Sequence, residues 1–381
     1  MPRAATAGDP PAAPAPAAPA VDSDSLSLAA RAQRKGIIFG AAELQTSLYE
    51  NPEYQAAFLR DCALLAPENE LKFYDLRKTS PEFDFRPADW LYKFASSNRL
   101  LFSGHVFAWG IALPKWAKDT PPGKKAEAML VEHIWAVAGR YRGRMHSWDT
   151  VNEAIEPNDN RPDLMRDNYW MKALGPSYVE LAFRTAAEAD PDAILFYNEY
   201  GLEYIGDYHD RRREGTLKML DRLVSAKVPI HAVGLQSHLP SSRGKWMDHK
   251  GYTSFLDSVH QLGLRTMITE LDVTDHTLPL NIAERDDWIA KITAEYLATT
   301  LEHPSISELI TWGYCDKYTY LNAYHPRPDG FPQRPLPIDS AYQRKPMWWA
   351  IARALDQAPS RPPFLSRAAS MATATPAPEA R

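Results

Sequence analysis

The sequence predicts an α/β protein built as a single (β/α)8 TIM barrel, and three observations indicate this fold. Short apolar runs alternate with longer helical patterns along the chain, which is typical of parallel strands joined by crossover helices. Eight such units occupy about 320 residues, a length that suits a closed eight-stranded barrel. No glycine-rich phosphate turn follows the first predicted strand, which makes a doubly wound open sheet the weaker alternative.

The elements are predicted from periodicity in chain order. Strands are expected where short runs such as GIIFGAA are rich in β-branched and aromatic residues, and helices where apolar residues recur every three or four positions. The predicted strands cover 36–42, a run that ends at 69, 99–109, 145–153, 193–200, 231–238, 264–273 and 306–314. The predicted helices cover 52–65, 86–98, 124–141, 176–190, 210–226, 252–263, 283–302 and 345–355.

Both chain ends are rich in proline and alanine, a composition that does not form a packed core. We therefore predict a disordered arm over 1–29, one barrel domain over 30–357 and a disordered tail over 358–381. The first residues lack the apolar segment of a signal peptide.

Composition narrows the class of function. The formal net charge is −5 without a basic run, which argues against nucleic acid as a partner. No stretch approaches the roughly 20 apolar residues that a membrane span needs. Eleven tryptophans and eighteen tyrosines are residue types that also line sugar sites. Cys62 and Cys315 are too isolated for a metal-ligand spacing or a disulfide framework, so we expect small buried side chains.

Polar or aromatic side chains lie at the carboxyl ends of seven of the eight predicted strands. Because the active site of such a barrel lies at the carboxyl ends of its strands, these residues are expected to share one rim. In chain order they are Glu68 and Asn69, His105 and Trp109, Asn152 and Glu153, Asn198 and Glu199, Gln236 and His238, Glu270 and Asp272, and Trp312. A single glutamate after a strand is usually a helix cap or a solvated turn, but here the pattern repeats around the barrel.

Glu153 and Glu270 follow the fourth and seventh strands, which lie across the barrel mouth from each other. Glycoside hydrolysis needs two carboxyl groups that flank the scissile bond, one protonated and one ionised. His238 and Asp272 are placed to form an Asp–His–Glu chain that keeps Glu270 charged, which favours Glu270 as nucleophile. Glu153 is then the general acid and later the base, and Asn152 is a candidate for binding the sugar 2-hydroxyl.

The sequence resembles glycoside hydrolase family 10, the xylanase family of retaining (β/α)8 enzymes, over roughly residues 36–355. The motifs that support this are PENELK at 67–72, GHVFAW at 104–109, WDTVNEA at 148–154, GLQSHL at 234–239, ITELDV at 268–273 and TWG at 311–313. The resemblance implies the same roles for Glu153 and Glu270. It also implies Glu68, Asn69 and Lys72 as ligands of the sugars on the non-reducing side, and it places four residues around the attacked sugar: His105, Trp109, Gln236 and Trp312.

The chain departs from the family pattern at one wall of the expected sugar site. Where the family usually has HSQLP after the tryptophan, this chain has GIALP, so that Gly110 and Ala112 replace His and Gln. Tyr320 stands where the family usually has a second tryptophan. The resemblance implies a thinner wall at the −2 subsite and more room for the hydroxymethyl group of glucose. Neutral drift, with compensation from the long loop 316–341, is the alternative.

The leading hypothesis is therefore a retaining endo-β-1,4-xylanase that acts on xylan or related β-1,4-linked polysaccharides and oligosaccharides. An endo-β-1,4-glucanase or a dual enzyme is the second, and a non-catalytic carbohydrate-binding barrel is the third, although the two glutamates with His238 and Asp272 argue against it. No metal and no cofactor are expected, because the mechanism needs neither. Asp316 and the tyrosine-rich loop after it are expected in the substrate wall. We also expect a monomer that is secreted or periplasmic.

Overall fold

The computed structural model describes residues 25–79, 82–241, 245–367 and 369–370. Residues 1–24 of the arm predicted over 1–29 and residues 371–381 of the predicted tail lie outside them, whereas Leu28 and Ala29 of that arm already belong to a helix. Nine strands are present in the described part of the chain. They are β1 Ile38–Glu43, β2 Leu64–Pro67, β3 Leu101–Ala108, β4 Ser147–Asn152, β5 Ile194–Glu199, β6 Ala232–Leu235, β7 His238–Leu239, β8 Arg265–Val273 and β9 Ile306–Trp312.

The α-helices are concentrated between the strands. They are α1 Leu28–Arg34, α2 Gln45–Tyr49, α3 Pro52–Asp61, α4 Phe73–Leu76, α5 Arg86–Ser97, α6 Lys115–Lys118, α7 Lys124–Arg140, α8 Tyr169–Leu174, α9 Tyr178–Ala189, α10 Asp207–Ser225, α11 His249–Gln261, α12 Ile282–Thr300, α13 Leu321–Tyr324 and α14 Pro346–Gln357. None of the helices in the described ranges is long and apolar enough to cross a lipid bilayer.

Eight of the strands close into a parallel barrel. Each of β1 to β6 pairs with its neighbour in the chain, β6 pairs with β8, β8 with β9, and β9 with β1. The two-residue strand β7 continues beyond β6 and places His238 opposite Asp272 of β8. The (β/α)8 prediction is confirmed, and the rim expected at the carboxyl ends of the strands is therefore formed by this topology.

The barrel strands are buried along nearly their whole length, because their inward faces fill the barrel and their outward faces meet the helices. Such strands are apolar without alternation, which explains one boundary error. Helix α3 ends at Asp61, before the predicted end at residue 65, because the apolar run after it turns into β2. A short apolar run is compatible with either element, and here the strand pairing decides.

The amino-terminal end of the barrel is closed by residues that were predicted to be a disordered tail. Phe364 packs against a buried cluster that includes Ile194 and Met267, and Leu365 packs against a second cluster that includes Ile38. The Arg361 guanidinium donates to the main-chain carbonyls of Leu301, His303 and Ile306, all on the barrel domain. The boundary predicted at residue 357 is therefore wrong, since residues 358–367 pack onto the domain in spite of their composition.

Gly36 shows how closely this segment approaches the rest of the chain. Its φ of 73° lies in the left-handed region, and a Cβ there would lie 1.9 Å from the carbonyl oxygen of Arg361. Arg361 in turn donates its main-chain N–H to Lys35 at 3.0 Å. Only glycine permits this contact at the start of the first strand.

Candidate active site

A cleft of about 620 Å³ opens at the carboxyl ends of the barrel strands. Thirteen of the predicted residues line it, whereas Asp272 lies behind His238, and Asn198 and Glu199 of the expected rim do not line it. The lining members are Glu68, Asn69, Lys72, His105, Trp109, Ala112, Asn152, Glu153, Gln236, His238, Glu270, Trp312 and Tyr320. Most of the rim expected from the sequence therefore lines one cleft, while Asn198 contacts Glu270 from behind and Glu199 is buried against Arg212.

Glu270 lies near the end of β8 and is held on both carboxylate oxygens. Asn198 donates to one oxygen at 2.6 Å, and His238 is 3.1 Å from the other through its Nε2. The opposite ring nitrogen of His238 is 3.0 Å from Asp272, which completes the predicted Asp–His–Glu chain. Thr269 donates to the amide oxygen of Asn198 at 2.7 Å and so orients the amide nitrogen towards Glu270.

This setting favours a charged carboxylate at Glu270. Burial raises the pKa of Glu270, but the hydrogen bond from His238 and the nearby positive charges outweigh burial and leave the pKa below its ordinary value. Burial lowers the pKa of His238, but the adjacent Asp272 and Glu270 carboxylates raise it well above the usual range. The imidazole therefore stays protonated and donates to both carboxylates, although its side chain keeps 28 % exposure.

Glu153 follows β4 directly and lies in a different setting. Gln236 donates to its Oε1 at 3.1 Å, and the Asn152 amide nitrogen is 3.4 Å from the same atom. The Arg166 guanidinium lies 3.8 Å from its other carboxylate oxygen. Gln236 also donates to the Asn152 side chain at 3.0 Å, so that the three side chains form one chain of contacts. Neutral amide donors and one cation at a longer distance thus surround this carboxyl group.

The predicted sugar ligands after β2 lie beside two tryptophans. Lys72 donates to Asn69 at 2.8 Å, and its ammonium lies 5.4 Å from the ring centre of Trp109 and 5.7 Å from that of Trp312. Burial raises the pKa of Glu68 to about 8, helped by nearby carboxylates and opposed by Lys72. Apolar ring faces next to polar donors and acceptors are the surfaces that sugars require.

His105 is oriented by a buried carboxylate. Its Nδ1 is 2.8 Å from Asp149 on β4, and the rest of the ring lines the cleft. The ring centre of His105 lies 5.1 Å from that of Trp312. Burial raises the pKa of Asp149 to about 6, in spite of the hydrogen bond from His105. This second carboxylate–histidine pair fixes a polar group at the cleft floor.

The wall expected to be thin is formed by small and polar side chains. Ala112 lines the cleft, and a Cβ at Gly110 would lie 2.5 Å from the Asn168 side chain, which occupies that space. The Tyr320 hydroxyl lies 3.4 Å from Nδ1 of His238. Position 320 is therefore part of the cleft and is linked to the histidine behind Glu270.

The structure corrects the role expected of Asp316. This side chain is buried, accepts from the Leu336 N–H at 3.0 Å and pairs with Lys345 at 2.9 Å. It therefore anchors the long loop after β9 and does not line the substrate wall. The same loop instead contributes Tyr324 and His325 to the cleft.

Several cleft residues were not predicted from the sequence. They are Tyr74, Asp75, Ile111, Arg166, Tyr200, Gly201 and Tyr204. All lie in the connections beyond the strand ends, Tyr74 and Asp75 in the short helix α4, where no periodicity places a side chain in the cleft. The only sequence signal for Arg166 is the general preference of carboxylates for guanidinium partners. That preference does not indicate which arginine will pair with Glu153.

In the described ranges, no group of three His, Cys, Asp or Glu side chains has an arrangement that would hold a metal ion. Cys62 and Cys315 are both buried thiols without a disulfide. Burial raises the pKa of Cys315 to about 12, so this thiol is inert at neutral pH.

The chain is similar to xylanases from other organisms. It is 31% identical over 324 residues to the beta-1,4-xylanase of Dictyoglomus thermophilum. The aligned region covers 82% of this chain and 87% of that protein. It is 29% identical over 322 residues to endo-1,4-beta-xylanase B of Thermotoga neapolitana, covering 84% and 88%.

Solved structures give the same result. Native xylanase 10B of Thermotoga maritima superimposes with a TM-score of 0.78 at 30% identity, covering 87% of this chain and 98% of that one. Xylanase 10B of Thermotoga petrophila RKU-1 in complex with xylobiose has the same TM-score and coverage at 29% identity. The family model described as glycosyl hydrolase family 10 matches residues 27–354. Since this match spans nearly the whole barrel, the chain belongs to glycosyl hydrolase family 10.

Proposed function

We propose that the protein is a retaining endo-β-1,4-xylanase that cleaves the xylan backbone by double displacement. One observation supports this most strongly. Glu153 and Glu270, at the carboxyl ends of β4 and β8, share a cleft but have different hydrogen-bond partners. Glu270 is held charged between His238 and Asn198, whereas Glu153 is held by neutral amides. The retaining mechanism requires one carboxyl group that stays ionised and a second that gives and takes a proton.

In the first step, Glu270 attacks the anomeric carbon and forms a covalent glycosyl ester. The bond from that carbon to the glycosidic oxygen breaks, and Glu153 gives its proton to the departing oxygen. In the second step, Glu153 takes a proton from water, and the water oxygen displaces Glu270 from the anomeric carbon. Two inversions leave the sugar with its original configuration.

The retaining reaction sets an expectation for the geometry. The carboxyl groups of Glu153 and Glu270 should lie about 5–5.5 Å apart, because inverting enzymes need roughly 6.5–9.5 Å to admit a water molecule between sugar and base. A crystal structure with a bound xylo-oligosaccharide measures this distance. The shorter spacing agrees with the proposal, and a spacing in the inverting range contradicts it.

Binding of the sugar chain is proposed for both sides of the two glutamates. Glu68, Asn69 and Lys72 are the ligands for the non-reducing side, with ring faces from Trp109 and Trp312 around the attacked sugar. His105, Gln236 and Asn152 supply polar contacts to the same sugar. The exposed rim residues Tyr74 and Tyr324 extend the cleft on the surface, which suits attack within a chain rather than at its end.

The experiment is to incubate the protein with xylan, carboxymethyl cellulose and mixed-linkage glucan and to measure reducing ends. Xylan should give the highest rate, and the anomeric signal followed by NMR in the first minutes should be that of the β-sugar. Glu153→Gln and Glu270→Gln should both lose activity, while Glu188→Gln on the exposed face of α9 serves as control. Release from none of the three polymers would support the non-catalytic barrel instead.

A dual xylanase and glucanase is a second candidate because of the cleft wall. Ala112 leaves space beside the sugar ligands, and Tyr320 offers a hydroxyl linked to His238. Measurable cleavage of β-1,4-glucosyl substrates, below that of xylan, is the expected sign of this activity.

We further propose that the enzyme acts outside the cytoplasm and as a monomer. Xylan is a polymer that does not cross a membrane, so an endo-acting enzyme must meet it outside the inner barrier of the cell. Cell fractionation followed by xylanase assay tests the location, and light scattering of the purified chain tests the oligomeric state.

A further inference from the structure

Arg166 is a cleft residue for which the proposed mechanism has no role. It lies in the segment between β4 and α8, and its side chain is 15 % exposed. Its Nε donates to the main-chain oxygen of Glu153 at 2.8 Å, and its Nη2 lies 3.8 Å from the carboxylate of the same residue. One guanidinium thus contacts both the main chain and the side chain of Glu153.

The main chain of Glu153 needs such support. Its φ is 55°, in the left-handed region that non-glycine residues rarely adopt unless the surroundings hold them there. The N–H of Glu153 donates to the carbonyl of Asn198 at 2.9 Å, and the carbonyl of Glu153 accepts from Arg166. Both polar main-chain groups are therefore fixed, and the direction of the side chain into the cleft is fixed with them.

Arg166 is itself held by neighbours. Its Nη2 donates to the Tyr200 hydroxyl at 3.0 Å and lies 3.5 Å from Glu156. The buried Arg212 pairs with Glu156 at 3.1 Å and with Glu199 at 2.8 Å. This network positions the guanidinium without the substrate.

The charges of the network depend on the state of Glu153. The titratable and charged groups around its carboxyl are Arg166, Glu156, Glu199, Arg212, Tyr200, Asp149 and, across the cleft, Glu270 and His238. In the network behind it, the two arginines balance Glu156 and Glu199 while Glu153 holds its proton. When Glu153 has released that proton, the nearest cation to the new charge is Arg166.

We propose that Arg166 is a positioning residue for Glu153. It holds the left-handed main chain of Glu153, and its charge favours the carboxylate that forms when the proton passes to the glycosidic oxygen. The inference rests on the proposed acid/base role of Glu153.

The test is the pH dependence of kcat/KM in Arg166 variants. Arg166→Met removes the cation, which favours the protonated carboxyl, so the alkaline limb should move about 0.5–1 unit to higher pH. Arg166→Lys keeps the charge but cannot contact the main-chain oxygen and the carboxylate of Glu153 at the same time. The value of kcat should therefore fall, while the alkaline limb stays near its wild-type position. Arg161→Met is the matched control, since Arg161 pairs with Asp163 on the same segment.

A variant that should shift the alkaline limb in the opposite direction keeps the test decisive if Arg166→Met does not fold. Glu156→Gln removes an anion that competes for Arg166, so the alkaline limb should move to lower pH. A purely structural role of Arg166 would lower the rate or the melting temperature without moving the limb in either direction.

The results separate this inference from the proposed function. An active wild type whose alkaline limb does not respond to Arg166→Met, or moves upward in Glu156→Gln, overturns the role of Arg166 alone. A wild type inactive on xylan and on aryl xylosides overturns the proposed function. In a Glu153→Ala background, Arg166→Met should leave the pH profile for an activated aryl substrate unchanged.

Discussion

The two glutamates of the cleft occupy surroundings that differ in kind. Glu270 receives donors on both oxygens, one of them from a histidine with its own carboxylate behind it. Glu153 receives amide donors on one oxygen and lies 3.8 Å from a guanidinium on the other. Glu270 lies within strand β8, at a register shift in the pairing with β9, whereas Glu153 has a left-handed main chain just past its strand.

This difference teaches how one fold gives two roles to the same residue type. A cation in direct hydrogen-bond contact keeps a carboxylate charged in a buried site, as the lowered pKa of Glu270 indicates. Neutral amides orient a carboxyl group without deciding its charge, which suits a group that must lose and regain a proton. The proposed roles therefore rest on the neighbours of the two glutamates rather than on the residue type.

The largest expected effect comes from removing the charged side. Glu270→Ala should lower kcat on xylan by on the order of 10⁵-fold or more, because no other group can form the covalent ester. Added azide should restore little activity with the natural stereochemistry. The rate on xylan measured at high enzyme concentration checks this, and Glu188→Gln again provides the control.

Removing the proton-transferring side should have a smaller and selective effect. Glu153→Ala should lose roughly 10²–10⁴-fold on xylan but keep part of its turnover of an aryl glycoside with a good leaving group, which needs no protonation. Azide should rescue this variant and give the β-glycosyl azide. If Glu270→Ala showed this pattern and Glu153→Ala did not, the two roles would have to be exchanged.

The support behind Glu270 should be visible in the acid limb of the pH profile. Since the pKa of Glu270 lies below the ordinary 4.5, the wild type should retain activity below that pH. Asp272→Asn weakens the charge on His238 and so favours protonation of Glu270, which should move the acid limb to higher pH. The rate at the optimum should fall about 10- to 100-fold, by analogy with carboxylates behind ligating histidines.

Circular dichroism should show that Asp272→Asn remains folded, and Asp221→Asn on the outer face of α10 is the matched control. An acid limb that stays in place in Asp272→Asn would mean that the Asp–His–Glu chain does not stabilise the charge on Glu270.

The smallest expected effect concerns the cleft wall at Ala112 and Tyr320, beside the proposed sugar site. Ala112→Gln together with Tyr320→Trp should depress cleavage of glucosyl substrates far more than cleavage of xylosyl substrates. Discrimination by one group of CH2 size is worth about 1–3 kcal/mol, or roughly 10–200-fold. The ratio of the two kcat/KM values measures it. An unchanged ratio would assign these two departures to drift.

The sequence predicted the barrel and the strand-end residues because both depend on a periodic pattern. The Glu270 side was predictable as far as His238 and Asp272, since all three lie in the carboxyl-terminal part of a predicted strand. The contact between Asn198 and Glu270 was not, because it depends on Thr269 orienting the amide. Arg166 and the tail at 358–367 were missed for a similar reason. Their places are decided by long-range contacts that proline-rich or loop sequences do not reveal.

The central claim is that Glu270 forms a covalent bond with the sugar while Glu153 transfers protons. It is tested most directly with a 2-fluoro xylobioside that carries a good leaving group, because the fluorine slows the second step and lets the ester accumulate. Mass spectrometry of the digested protein should then find one glycosyl group, attached to Glu270. A label on Glu153, or an unlabelled protein that releases the inverted sugar, would contradict the account.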